Sequence, residues 1–420
     1  MSRNLLRLAL LASLLGGCAP PAPPGPADIL LGPYVIDVTD TTARVQWVTD
    51  PNVRECRFAA TGVRSANPEA ARVSRSESLP VKVEVTTHPL PDAEDTLHVA
   101  ALSGLKPNQT YRYAVSDSNG RTEGFFRTAP AKDSRVPLKF IVYGDTRSYP
   151  ERHQAVADAM LREMPFSFVL HTGDLVSNGL MWHLWEDEFF DPARGLLRRA
   201  AIWPVRGNHE GDAVTYGALF GLPNEGLYYS FDYGDAHFVV LDSGDGDAEP
   251  DPKMLAWLEK DLAAAAQAQW LFAVYHKPTV DAAGYGQSWG RGDVWPLLQK
   301  HGVDIIFSGH SHVYERFRPI GAEGAKPIIQ IVAGGGGAPN YQIEPNPALE
   351  AGYEGLHYCA VELAGDTLQM TVKTPGGQVI DRFRLRKTAG RFDKETMDRA
   401  LTTPKAWEMV RAAALETSGR

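Results

Sequence analysis

Cysteine, long apolar runs and basic clusters are all scarce in this 420-residue chain, and each scarcity closes a route. The three cysteines, Cys18, Cys56 and Cys359, are too few for a zinc site built from thiolates. Cys56 and Cys359 fall in different domains on the reading below, so they are expected as buried thiols rather than as a disulfide. Beyond the N-terminus no stretch is long and apolar enough for a transmembrane helix. No basic run exceeds the pair Arg198 and Arg199, and the formal net charge is −9. A broad positive surface for nucleic acid is therefore not expected. An acidic protein can still bind one phosphate group if metal ions supply positive charge locally. No internal repeat stands out.

What is present suits a globular protein of two domains, with 44% hydrophobic residues. The N-terminus has the make-up of an export signal: Arg3 and Arg7, an apolar run over residues 8–15, then Leu15-Gly16-Gly17-Cys18. That tetrad resembles a bacterial lipobox. Residues 1–18 are thus expected to be a signal ending at a lipidated Cys18, with the bacterial periplasm or cell surface as the destination and the lipid as the one membrane contact. A plain signal cut near Ala19 is the alternative. Residues 19–27 are Pro-rich and read as an extended tether.

Residues 28–130 read as an all-β sandwich. Val45 and Trp47 alternate with Arg44 and Gln46, and Tyr111, Tyr113 and Val115 share one face of another strand. The stretch from Leu105 to Tyr111 resembles the corner of a fibronectin type III domain, in which a Tyr bonds back to the preceding turn. His88 and His98 are isolated and expected to be structural or solvated. Beyond a short linker, residues 136–386 switch to strands alternating with helices, and residues 387–420 are expected to form a helical tail, centred on 405–415.

One regularity governs the functional reading. Five expected strands each end at a residue suited to metal binding: Asp145, Asp174, Asn208, His276 and His310, with His312 just beyond. Loops at the C-terminal ends of strands converge on the ligand site in open α/β sheets. Carboxylate, amide oxygen and imidazole together suit Zn, Fe or Mn. Six ligands exceed one closed tetrahedral site, so two divalent or trivalent ions are the natural count. Two such ions can clamp the attacking and leaving oxygens of a phosphoryl displacement, with a bridging hydroxide as nucleophile.

Gly144-Asp145, Gly173-Asp174, Gly207-Asn208-His209-Glu210, the strand-end His276 and Gly309-His310-Ser311-His312 resemble, in order, the five blocks of the calcineurin-like metallophosphoesterases. The resemblance covers roughly residues 136–375. Val313-Tyr314-Glu315-Arg316 after the last block, and a fibronectin-like domain ahead of the first, resemble the purple acid phosphatase branch. It implies a fold of two mixed β-sheets flanked by helices. It implies that Asp174 bridges the metals, that Asp145 and His312 bind the first, and that Asn208, His276 and His310 bind the second. It gives His209 to the phosphate or the leaving group, a role an imidazole suits as general acid.

Two departures stand out. The purple branch has a Tyr where this chain has Ser177, and other members have a His where this chain has Arg147. The first metal thus lacks one expected protein ligand, a gap for water, Ser177 or Asn178, and no tyrosinate colour is expected. Arg147 is a candidate for gripping the substrate phosphate through its guanidinium fork; a salt bridge to an acid such as Asp187 is the alternative. Gly334 to Gly337 resembles the turn that brings backbone near the site in this family. His171 and His237 are expected to be structural, Trp182 and Trp185 to pack a helix, and His153, His183, His301 and His357 lack a motif.

The expected activity is metal-assisted hydrolysis of a phosphorylated small molecule, a monoester first. One alternative is a phosphodiesterase acting on nucleotides, phospholipid headgroups or cell-wall phosphates. The other is a surface binding protein whose incomplete first site has lost catalysis.

Overall fold

The structure is a computed structural model that describes residues 29–53, 56–63, 81–91, 93–117, 120–245, 249–285, 288–403 and Trp407. The export signal, Cys18, the Pro-rich tether and nearly all of 405–415 lie outside the described residues.

The N-terminal strands are β1 (Ile29–Ile36), β2 (Thr42–Thr49), β3 (Arg57–Val63), β4 (Lys82–Pro89), β5 (Thr96–Ser103), β6 (Thr110–Ser116) and β7 (Arg121–Arg127). They form two sheets, β1-β2-β5-β4 and β3-β6-β7, all of whose neighbours are antiparallel. Rings of Trp47, Phe58, Tyr113 and Phe126 stack through the interior. The Tyr111 hydroxyl accepts the backbone N–H of Lys106 at 2.8 Å, which is the fibronectin-like corner. His98 lies flat on Trp47, with centroids 5.1 Å apart, and serves packing.

The second part continues with β8 (Leu138–Tyr143), β9 (Phe168–His171), β10 (Ala201–Pro204), β11 (Tyr229–Tyr233), β12 (Ala236–Val240), β13 (Trp270–Val274) and β14 (Ile305–Ser308). Then come β15 (Tyr314–Phe317), β16 (Ile320–Gly321), β17 (Ile329–Ala333), β18 (Leu349–Tyr353), β19 (Tyr358–Ala364), β20 (Thr367–Lys373) and β21 (Val379–Thr388). One sheet runs β21-β20-β19-β8-β9-β10 and the other β11-β12-β13-β14-β17-β15-β18. Strands β8, β9, β13 and β14 are buried almost throughout, so they read as unbroken apolar runs rather than alternations. The sheets meet through an aromatic layer in which Phe140 packs edge-on against Phe238, Phe272 and Phe307. Helices Pro252–Ala264 and Val294–Lys300 bury Met254, Leu258, Leu262, Val294 and Leu298 in a second core over the other face of the β12–β14 sheet.

Two features depart from expectation. The sandwich is not a separate unit: β1 pairs in parallel with β10, Val35 opposite Ala201 and Ile36 opposite Ile202, so one continuous sheet runs through both parts. The expected helical tail from 387 begins instead as sheet. Strand β21 runs on to Thr388 and turns back into β22 (Arg391–Phe392), and β23 (Leu401–Thr402) pairs with β16. Between them lies one short helix, Lys394–Asp398. The reason is a period of two: exposed Arg382, Arg384 and Arg386 alternate with the better-buried Phe383, Leu385 and Lys387. Cys359 is buried in β19 and forms no disulfide with Cys56.

Candidate metal centre

Strands β8, β9 and β10 are mutually parallel, as are β13 and β14, so their C-terminal ends open on the same side of each sheet. Asp145, Asp174, Asn208, His276 and His310 follow those ends directly, and the structure brings all five together with His312. Asp145, Asp174 and His310 adopt φ of 57°, 55° and 67°, a left-handed conformation uncommon for side chains other than Gly. The turns are that tight because backbone passes close behind each ligand. A Cβ on Gly207 would collide with the Asp174 carboxylate, and one on Gly309 with that of Asp145.

The side chains form two groups that share Asp174: Asp174, His276 and His310, and Asp145, Asp174 and His312. In the first, His276 Nδ1 donates to the Thr172 carbonyl at 2.9 Å. Its Nε2 then faces Asp174 Oδ1 and Asn208 Oδ1, each at 3.2 Å. His310 Nδ1 lies 2.9 Å from the same Asn208 oxygen and 3.3 Å from His276 Nε2. In the second group, His312 Nδ1 donates to the Pro339 carbonyl at 2.7 Å, which leaves Nε2 facing Asp145 Oδ1 at 3.5 Å. Backbone carbonyls thus fix both imidazoles, as supporting partners do for metal-binding histidines. Acceptors that face acceptors in a buried site need a cation or a proton between them. The donor set fits two metal ions sharing Asp174.

Charge follows this layout. Burial works to lower His276, but Asp174 and Asp145 outweigh it and push the imidazole up to about 9. Burial, together with the nearby His276 cation, holds His310 down to about 3. Burial and the Arg147 guanidinium hold His312 down to about 4. Burial pushes the Asp145 carboxyl up, whereas Asp174, despite burial, is held well below the usual carboxylate range by His276.

The missing ligand is not supplied by its sequence neighbours. The Ser177 hydroxyl donates to Glu188 Oε1 at 2.8 Å, and the Asn178 side-chain oxygen accepts the N–H of Leu180 at 3.1 Å. Arg147 occupies that flank, with Nε 3.4 Å from Asp174 Oδ2 and a terminal nitrogen 3.3 Å from His312 Nε2. Its acid partner is therefore Asp174, not Asp187. His209 donates from Nδ1 to the Ser177 carbonyl at 2.7 Å and points Nε2 into the site, 3.9 Å from Asp174 Oδ2.

Sequence reasoning gave no role to Glu210, although its motif was in view. Buried Glu210 accepts the backbone N–H groups of Asp174 at 3.1 Å, Leu175 at 2.7 Å and Gly207 at 2.6 Å. It thereby ties two ligand loops together, and burial and Asp174 push its carboxyl up to about 7. Tyr341 was missed outright: its ring stacks on that of His312 with centroids 4.2 Å apart. The Gly334 to Gly337 segment lies behind the Asp145 loop, where Gly336 N–H donates to the Gly144 carbonyl at 2.8 Å. It is a brace for that loop. The Trp185 indole donates to the Gly179 carbonyl at 3.0 Å, and buried His171 accepts from Gly173 N–H at 3.2 Å, so both support the Asp174 loop.

Comparison with known proteins agrees with this geometry. Residues 138–314 match the family described as Calcineurin-like phosphoesterase. Purple acid phosphatase 21 of Arabidopsis thaliana is 31% identical over 265 residues, covering 57% of this chain and 58% of that protein. Acid phosphatase type 7 of Mus musculus is 28% identical over 262 residues, covering 53% of this chain and 57% of that protein. The chain thus spans a little over half the length of these curated relatives. The structure of a purple acid phosphatase from yellow lupin (Lupinus luteus) seeds superposes with a TM-score of 0.68 at 20% identity, over 88% of this chain and 75% of that one. The structure of PhoD superposes with a TM-score of 0.67 at 13% identity, over 95% and 99% of the two chains. At such identities the superpositions speak for the fold alone. Residues 138–314 match a calcineurin-like phosphoesterase domain, and over a little more than half its length the chain is similar in sequence to purple acid phosphatases.

Proposed function

We propose that this chain hydrolyses phosphate esters, monoesters first, at the centre built around Asp174. The observation that carries the reading is the sharing of Asp174 by two groups of buried donors. Cations held there neutralise phosphoryl charge and acidify water. The chain's own residues do the rest. Asp145, Asp174 and His312 would hold one ion, and Asp174, Asn208, His276 and His310 the other. Arg147, at the open flank of the first group, offers a planar fork for two phosphate oxygens. His209 is fixed by Ser177 with Nε2 toward the site, and from there it protonates the departing oxygen.

The test is turnover of p-nitrophenyl phosphate and bis-p-nitrophenyl phosphate by protein loaded with Zn, Mn or Fe, beside Asp174→Ala. Monoester turnover that Asp174→Ala abolishes supports the reading. A faster diester reaction would move the activity to phosphodiesters. One observation favours a binding protein instead: Ser177 and Asn178 are engaged away from the first group, and Arg147 stands in their place. One ion or none per chain, with no turnover, would establish that reading.

We further propose that the chain is exported and lipid-anchored through Cys18. The support is sequence: Arg3 and Arg7, the apolar run at 8–15, and Leu15-Gly16-Gly17-Cys18. Labelled palmitate should enter the wild type and not Cys18→Ala; equal labelling of both would dismiss the anchor.

A further inference from the structure

Among the described residues, nine large apolar side chains stand exposed, and five of them lie on segments that follow candidate ligands in the chain: Tyr149, Leu180, Met181, Val214 and Tyr285. Tyr149 follows Asp145, Leu180 and Met181 follow Asp174, Val214 follows Asn208, and Tyr285 follows His276. Four ligand-bearing segments thus each expose apolar surface.

One of these side chains, Tyr285, belongs to an ordered element that reaches the candidate centre. Tyr341 lies on the ring of His312, with centroids 4.2 Å apart and planes 23° apart. Tyr285 lies on Tyr341, with centroids 3.9 Å apart and planes 24° apart. Three rings therefore form a stack that starts at a candidate metal ligand and ends in solvent, where Tyr285 is 52% exposed. A column of stacked rings that runs from a candidate ligand to the half-exposed Tyr285 offers aromatic surface to a planar group attached to a phosphate at the centre.

We propose that Tyr285 and Tyr341 form an aromatic wall for the leaving group, and that the substrates are phosphate esters whose alcohol carries a planar ring. The inference rests on the phosphoester reading above for its chemistry. Water oxygen bonds to phosphorus, the bond to the ring-bearing oxygen breaks with its electron pair, and that oxygen takes up a proton. Aryl and nucleoside esters share the required ring.

Calorimetry on the metal-loaded protein with phenylphosphonate and methylphosphonate tests the wall without turnover. The wild type should bind the phenyl compound three- to tenfold more tightly. Tyr285→Ala and Tyr341→Leu should lose that preference, and Tyr285→Trp should keep it. Equal binding of the two phosphonates by the wild type, or an undiminished preference in Tyr285→Ala, would overturn the proposal. In kinetics, the kcat/KM ratio of phenyl phosphate to glycerol 3-phosphate, and that of AMP to glycerol 3-phosphate, should each report one ring source and fall in Tyr285→Ala. If no ester is hydrolysed while the phosphonate preference persists, the wall stands and the hydrolase reading fails.

Discussion

The Glu210 carboxylate accepts the backbone N–H of Asp174 at 3.1 Å, so the shared residue of the two donor groups is held from behind by an acid that belongs to neither group. Three backbone N–H groups converge on Glu210. Glu210→Gln would turn an amide toward at least one of them. Metal affinity should fall about 10- to 100-fold, the usual cost of losing a supporting partner. Titration with a metal-competing chelator measures it, and an unchanged affinity would reduce Glu210 to a packing residue.

Asp174 joins two groups, whereas Asp145 belongs to one. Asp174→Ala should therefore strip both ions, and Asp145→Ala chiefly one. Elemental analysis of the purified variants gives the stoichiometry. Equal losses from both would contradict the shared role of Asp174.

His209 touches the candidate centre from one side through Nε2. His209→Ala should lower kcat by about 10²- to 10⁴-fold, the range for a lost general acid. The loss should grow as the leaving group becomes more basic. A series of substituted phenyl phosphates would show this as a steeper dependence of rate on leaving-group pKa; parallel lines would count against proton donation.

Stability should carry a pH signature away from the site. His237 sits between Asp232 at 2.7 Å and Asp261 at 2.8 Å. Burial acts to lower its pKa, but the two carboxylates push it up to about 9. A folded-state value above the unfolded one means stabilisation that is complete below about pH 6.5 and lost as pH rises through about 9. Asp232 is partly exposed, so the contribution is on the order of 2 kcal/mol rather than the full shift. The Tm gap between wild type and His237→Asn should be flat below pH 6.5 and narrow toward pH 9. A gap that widens with pH would reverse the assignment.

No side chain from the Ser177 position reaches the first group. Iron-loaded protein should accordingly lack a visible tyrosinate band, and an absorption spectrum decides it. A band that vanishes in Tyr341→Phe would instead make Tyr341 a ligand.

The ligand-bearing loops were legible because of burial. Strands such as β13 and β14 are covered on both faces, so a polar residue can appear only where they end. His276 and His310 stand out against Trp270–Val274 and Ile305–Ser308 for that reason. Tyr341 was not legible. It lies in a loop with no period, and only the path of that loop lays it on His312. The role of Glu210 was hidden for a related cause: its partners are backbone groups of a distant loop, which carry no sequence signal. The start of the tail was misread because β21 ends in charged residues, and pairing with β20 and β22 makes them strand.

The parallel joint between Val35–Ile36 and Ala201–Ile202 has a practical outcome. Strand β10, which leads into Asn208, has β1 as one of its two neighbours. A shortened protein starting at residue 131 would bare unsatisfied amides and carbonyls a few residues from the candidate centre, an invitation to clump with its own copies. The N-terminal part is thus less an accessory than the missing flank of the part that carries the candidate centre, and excision should yield insoluble material rather than a smaller soluble protein.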